Sequence, residues 1–308
     1  MSETIDRSRA SARLAADAVL IGVTILWGSS FVVVKNVLAE SPPLGFLFWR
    51  FLLASLLLIP LAIGRRRTPG LLADGLTLGL LLSAGMELQV VGQLETTASK
   101  AAFLTGLSVV LTPFAAFGRT RKLPTLENGV GIILAGLGFV LLTFPRGGDA
   151  PNRGDLLVFG CGVVFAFYIV EMSLRTGRHD PVWLTAIQVA VVAATALPVS
   201  LLVRALPASE IAAAESRPVA WEGVFLWSVL YLGSVGTVGT FFGQTWAQRH
   251  MSATHAAILF SLEPVVAALL AAWLIGDRLG ARGIAGALLV LAGIVVSELR
   301  LETVRRKT

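Results

Sequence analysis

The sequence predicts an all-α integral membrane protein, with ten transmembrane helices in two inverted five-helix repeats. Three observations carry that expectation. Hydrophobic residues make up 55% of the 308 and charged residues only 14%, with a mean hydropathy of +0.79. A soluble chain needs about 25% charged residues to solvate its surface, so much of this surface must face lipid. Ten apolar stretches approach the roughly 20 residues that a helix needs to cross the hydrocarbon core. Finally, polar residues inside those stretches recur at a fixed spacing between the two halves of the chain.

The first stretch, 17–38, follows a polar segment and is too long for the h-region of a cleaved signal peptide, so it reads as a span. Ser41-Pro42-Pro43 closes the turn to the second, 44–63, which Arg65-Arg66-Arg67 ends. The third and fourth are 71–93 and 97–118, followed by Arg119, Arg121, Lys122 and Pro124. The fifth, 126–145, gives way to Pro145-Arg146-Gly147-Gly148. The sixth and seventh are 154–175 and 182–203. The connector 204–221 is the longest and has room for a short interfacial helix. The last three are 222–247, 252–275 and 280–299, before a polar tail from Arg300 to Thr308. The 31 glycines fit this class, because close backbone contact drives helix association in lipid. Gly75-xxx-Gly79 and Gly239-xxx-Gly243 read as close-packing motifs.

Lys and Arg divide unequally between alternate ends of these stretches. Sixteen fall on the side that holds both termini, including Arg65–Arg67, Arg119, Arg121 and Arg175, against eight on the other. The positive-inside rule therefore places both termini in the cytoplasm, with the bias weaker in the second half. Trp49, Trp183, Trp221, Trp246 and Trp273 fall near span ends, as an aromatic belt requires, whereas Trp27 lies inside span one. The net charge of +6 needs no nucleic acid to explain it.

The halves match at an offset of 155 residues. Gln89 corresponds to Gln244 and Gln93 to Gln248. Gly131, Leu134 and Gly138 correspond to Gly286, Leu289 and Gly293. The first helices match at another offset, with Gly22 on Gly160 and Trp27 on Phe165. Apolar matches are cheap in such a composition; two glutamines in membrane helices are not. Residues 17–145 and 154–299 thus form two repeats of five spans. An odd number makes the second enter the bilayer from the opposite side, which puts a binding site near the midplane.

Several stretches resemble a known family. Leu26-Trp27-Gly28-Ser29-Ser30-Phe31 with Lys35, Trp49-Arg50-Phe51-Leu52-Leu53-Ala54, Ser261-Leu262-Glu263-Pro264-Val265, Gly276-Asp277-Arg278-Leu279 and the segment Gly286 to Gly293 resemble EamA-type carriers of the drug/metabolite transporter superfamily. Two departures stand out: the family usually has Glu where Asp277 stands, and the first repeat has Leu107-Ser108-Val109 where the second has Leu262-Glu263-Pro264. The resemblance implies ten helices, alternating access, and movement of amino acids, metabolites or toxic compounds, often outward. An intramembrane enzyme on a lipid-linked substrate and a non-transporting subunit are the alternatives.

Ionisable groups inside a membrane are costly and normally face a cavity or a partner. Arg50, two turns into span two, suits a bidentate contact with a solute carboxylate, or else a structural ion pair or snorkelling toward the outer interface. Glu87, in the outer half of span three, suits a coupling-proton or cation site, or else a neutral or paired acid between helices. Glu263 precedes Pro264, which removes a backbone donor and frees a carbonyl four residues earlier. That fits a kinked binding site, or a buried acid bonded to a neighbouring helix. Gln89, Gln93, Gln244 and Gln248 can donate and accept, and around a pseudo-two-fold axis they would line a polar cavity or bond between helices. Trp27 with Phe31 suits stacking on a planar solute, a gate, or plain packing; Tyr168 and Trp227 offer the same choice. Lys35, Lys100 and Asp277 read as interfacial.

Several classes find no support. Cys161, the single cysteine, has no disulfide partner. His250 and His255 are five apart, a poor same-face spacing for a metal. No Walker-type glycine loop or nucleophile–base arrangement is present. The expected partners are a small solute, the bilayer and protons as a coupling ion, with no cofactor and no enzymatic activity.

Overall fold

A computed structural model describes residues 2–121, 123, 125–143, 152–206, 209–251, 256, 259, 260, 262–277 and 279–298. Among them every regular element is helical. Helix α1 (Ser2–Leu38) starts well before the apolar stretch because no Gly or Pro interrupts residues 2–21. Helix α2 (Pro43–Ala62) opens with Pro43, whose missing N–H costs nothing at a first helical position. Gly70, with φ 81, turns the chain into α3 (Leu71–Gly92). Thr97 caps α4 (Ala98–Thr120), and α5 spans Leu126–Thr143. The Asn152 side chain accepts from the Asp155 N–H at 2.7 Å and starts α6 (Arg153–Arg175). Asp180 accepts from Val182 N–H to start α7 (Pro181–Arg204).

The long connector holds a short helix, α8 (Glu210–Glu215). Its last residue, fully buried, reaches back to α2. Glu215 Oε2 and Oε1 accept from the N–H groups of Leu44 and Gly45 at 2.8 and 2.9 Å, and Ser200 Oγ donates to Oε1 at 2.5 Å. The carboxylate thus satisfies orphan donors at the positive end of α2. Next come α9 (Gly223–Gly233), a π-turn (Ser234–Gly239) and α10 (Thr240–Ala247), which form one rod. The sequence expects a regular helix there, and the π-turn is a departure from it. Helices α11 (Leu262–Leu274) and α12 (Ala281–Glu298) complete the chain.

Among the described residues seven rods are long and apolar enough to cross a membrane: α1 from Leu14, α2, α3, α4, α6 with the turn to Arg178, α7, and α9 through α10. Shorter apolar helices lie at Gly129–Leu141, Leu262–Leu274 and Ala281–Gly293. Large apolar side chains such as Leu56, Leu72, Ile133, Leu201, Leu269 and Trp273 point outward. A surface of that kind is stable only against lipid, and the chain is a multi-pass membrane protein.

The main packing partners of each long helix lie in the other half of the chain. α5 runs along α12, α2 along α7, α3 against α6 and α7, α4 against α6 and α11, and α1 against α10 and α11. Glycines allow the closest approaches. A Cβ on Gly138 would sit 2.5 Å from Gly286 O, and one on Gly293 would sit 2.6 Å from Gly131 O. Gly75 and Gly79 meet Ile187 and Val191, and Gly243 meets Val19 and Val23. Gly239, expected in a close-packing motif, has no neighbour within 4 Å; it ends the π-turn instead.

Ion pairs tie the ends of the bundle. On the face that carries Arg65, Asp74 of α3 pairs with Arg175 of α6. Glu171 joins Arg175 and, at 2.6 Å, Arg119 of α4. His179 Nε2 is 2.7 Å from Asp74 Oδ2 and its Nδ1 is 2.6 Å from Thr68 Oγ1. On the opposite face Lys35 Nζ donates to the carbonyls of Gln93 and Thr96 at 2.7 and 2.8 Å. There Asp155 accepts from Thr96 Oγ1 at 2.5 Å and pairs with Lys100 at 3.5 Å.

Candidate solute-binding site

Between the ends, α1, α2, α3, α4, α6, α10 and α11 enclose a pocket. Its apolar walls are aromatic. The Trp27 ring lies 5.4 Å from that of Phe241 and 5.5 Å from that of Phe260. Phe31, Phe165 and Tyr168 add further faces. Trp27 Nε1 donates to Thr240 Oγ1 at 2.9 Å, which fixes the indole. The buried Tyr168 hydroxyl donates to Gln188 Oε1 at 2.7 Å.

The polar groups come from both halves. Gln89 lines the pocket and donates through Nε2 to Thr105 Oγ1 at 3.2 Å. Gln244 lines it too, is 1% exposed, and its Oε1 has no hydrogen-bond partner among the described residues. Arg50 reaches it from α2, with Nε donating to Thr237 Oγ1 at 2.8 Å and Nη2 to Gly236 O at 3.2 Å. Glu263 lines it from α11. Among the described residues neither Arg50 nor Glu263 has an ion-pair partner, so a buried cation and a carboxyl share one pocket without neutralising one another. Each is costly alone and is relieved by an opposite charge.

The eight candidate residues therefore divide. Trp27, Arg50, Gln89, Gln244 and Glu263 line the pocket. Glu87 does not: it faces α7, where Ser83 Oγ donates to its Oε1 at 2.8 Å and itself bonds Thr195. Gln93 and Gln248 also lie off the pocket, one turn further along their helices. Both are buried, and among the described residues both atoms of each amide are unpartnered. Gln93 borders a separate recess near Lys35, Glu95 and Arg217. Trp227 is 71% exposed and faces outward, away from any site.

Sequence reasoning missed Thr105, Ser108 and the Arg50 acceptors Gly236 and Thr237. It also missed Asp74 in the ion cluster. The four-residue spacing of Glu171 and Arg175 is a signal for that cluster; Asp74 gives none. Among the described residues no group of three His, Cys, Asp or Glu side chains could hold a metal ion.

A polar pocket walled by apolar helices from both halves defines a membrane transporter. The chain belongs to the EamA-like transporter family, whose sequence model matches residues 14–144 and again 152–299. A protein of Archaeoglobus fulgidus described as an uncharacterized transporter is 28% identical, covering 94% of this chain and 87% of that one. The uncharacterized transporter YoaV of Bacillus subtilis is 23% identical, covering 90% and 94%. A solved crystal structure superposes with a TM-score of 0.65 at 17% identity, over 92% of this chain and 97% of that one, which shows a shared fold.

Proposed function

We propose that this protein is a secondary transporter that moves a small metabolite, amino acid or toxic compound outward across the cytoplasmic membrane by alternating access. The pocket is its solute site. The observation that carries this reading is the placement of Arg50 and Glu263, from different halves and without ion-pair partners among the described residues, in one aromatic-walled pocket. Such groups serve a solute that arrives and leaves better than they serve the fold, which a neutral pair would suit at lower cost.

Ten crossings in two inverted repeats, 17–145 and 154–299, fit the packing. The Gly138–Gly286 and Gly293–Gly131 contacts exchange with one another under the 155-residue offset, as a two-fold axis requires. The Lys and Arg bias supports cytoplasmic termini. Glu263 is the carboxyl positioned to exchange a proton with the solute path, and supplies the coupling ion its binding group.

Flux tests this. The purified chain in proteoliposomes is expected to show saturable uptake of at least one amino acid, nucleobase or cationic dye, accelerated by the same solute on the far side. A folded preparation that moves none of them overturns the reading.

A further inference from the structure

The rod made of α9, the π-turn and α10 answers to α3 in the other half, with one residue more. Contacts locate the extra residue. Gly79 of α3 abuts Val191 of α7, and Gly233 abuts Leu53 of α2. Further along, Gly85 abuts the Phe165 ring, while Thr240 takes the indole N–H of Trp27. Leu53 and Val191, like Trp27 and Phe165, stand at one common offset. Gly79 thus answers to Gly233, 154 residues on, but Gly85 answers to Thr240 and Gln89 to Gln244, 155 on. The added residue lies between 233 and 240, and the chain absorbs it as the π-turn Ser234–Gly239. α3 is a regular helix throughout. A π-turn places carbonyls outside the regular ladder, and such turns concentrate at functional sites.

This turn serves Arg50. Gly236 O accepts from Arg50 Nη2 and, at 2.8 Å, from Thr240 Oγ1; Thr237 Oγ1 accepts from Arg50 Nε. At the corresponding place on α7 stands Gln188, neutral and satisfied. Its Nε2 donates to Leu184 O at 3.1 Å and its Oε1 accepts from Tyr168. One half of the molecule therefore holds a pocket cation against an inserted turn, where the other has an amide that is bonded within α6 and α7 and does not line the pocket. The turn orients the guanidinium with two neutral acceptors, and Cζ stands 5.3 Å from the Phe51 ring centroid, with no carboxylate paired to it among the described residues. Nη1 makes no hydrogen bond among the described residues. On α10 of the same rod the buried Gln244 Oε1 is, among the described residues, an acceptor without a donor.

We propose that Arg50, seated on the π-turn, is an anion subsite that takes a carboxylate of the solute, with Thr237 as its positioning residue. The planar fork of Arg matches a carboxylate through two parallel N–H donors. A donor group elsewhere on the same solute would complete Gln244 Oε1. This rests on the pocket being the solute site.

Binding of monocarboxylates graded from propionate to 3-phenylpropionate, and of their amides, tests it, read by quenching of tryptophan fluorescence in the detergent-purified chain. At least one acid is expected to bind about tenfold or more tightly than its amide, the difference that hydrogen bonds to a charged group supply. Thr237→Val should abolish the preference for the acid, and Thr237→Ser should restore it, a pattern that a merely structural role would not produce. Deletion of Val235, an exposed residue of the turn, should return the rod to regular helix and also remove the preference. Acids and amides bound alike, no acid bound at all, or an unchanged preference in Thr237→Val would each overturn the proposal. Flux of a cationic dye with no acid binding would sink the subsite and leave the transport reading standing.

Discussion

Under the proposed function Glu263, a pocket carboxyl with no ion-pair partner among the described residues, is the group that exchanges the coupling proton. Glu87 attracts notice in the sequence because it is a membrane-buried acid, but Ser83 and Thr195 hold it on the α7 side of α3. The two residues therefore separate in a pH experiment. Glu263→Gln keeps the shape and the hydrogen-bonding capacity but cannot exchange a proton, so flux should lose its dependence on pH. Glu87→Gln should keep the wild-type profile. A flat profile in Glu87→Gln with a normal one in Glu263→Gln would move the coupling site to α3. The sequence shows which helices hold these acids but not which way they turn. In a stretch that is apolar on all sides no amphipathic period marks the inner face. The glutamines were easier, because a shared offset of 155 residues singles them out. Even so, the offset marks Gln93 and Gln248 as strongly as Gln89 and Gln244, and one helical turn, about 5.4 Å, separates lining the pocket from missing it.

Helices are the part of this fold most legible in sequence, since each span needs only length and apolarity, and their ends follow Pro42, Gly70, Thr97, Asn152 and Asp180. The π-turn is not legible in that way. One added residue among Ser234-Val235-Gly236-Thr237-Val238-Gly239 changes neither length nor hydropathy enough to notice, and only contacts show where the offset shifts. The pairing of elements is legible at the glycines that approach another backbone. Gly138 on α5 has no space for a side chain, with Gly286 O 2.5 Å and Val290 N 2.7 Å from where a Cβ would stand. Gly136, on the same helix, has nothing within 4 Å. Gly138→Val should therefore lower the apparent melting temperature by several degrees, equivalent to about 1–3 kcal/mol of overpacking. Gly136→Val should leave it unchanged. Melting of both variants in detergent checks this, and equal melting would mean that α5 and α12 are not in close backbone contact.

At the scale of the whole molecule the question is which end of the pocket is shut. On the face that carries Arg65, the Asp74, Arg175, Glu171 and Arg119 cluster links α3 and α4 to α6. These elements belong to different halves, so a transport cycle that rocked one half against the other would break the cluster. Asp74 and Glu171 are buried while Arg119 is exposed, which puts the links between the weak surface pairs and the fully buried ones. A cluster of that strength can hold one state and still be released by thermal motion. Ser108 lines the pocket from α4 and offers a reporter. In a Cys161→Ala background, Ser108→Cys should react with a membrane-impermeant thiol reagent applied from either side of oriented vesicles. Arg175→Ala should raise the rate from the Arg65 side severalfold and lower it from the other. The double exchange Asp74→Arg with Arg175→Asp should return both rates toward the parent values, which distinguishes a lost ion pair from a damaged fold. Reaction from one side only, whatever stands at position 175, would mean that the pocket opens to a single face and that no alternation occurs.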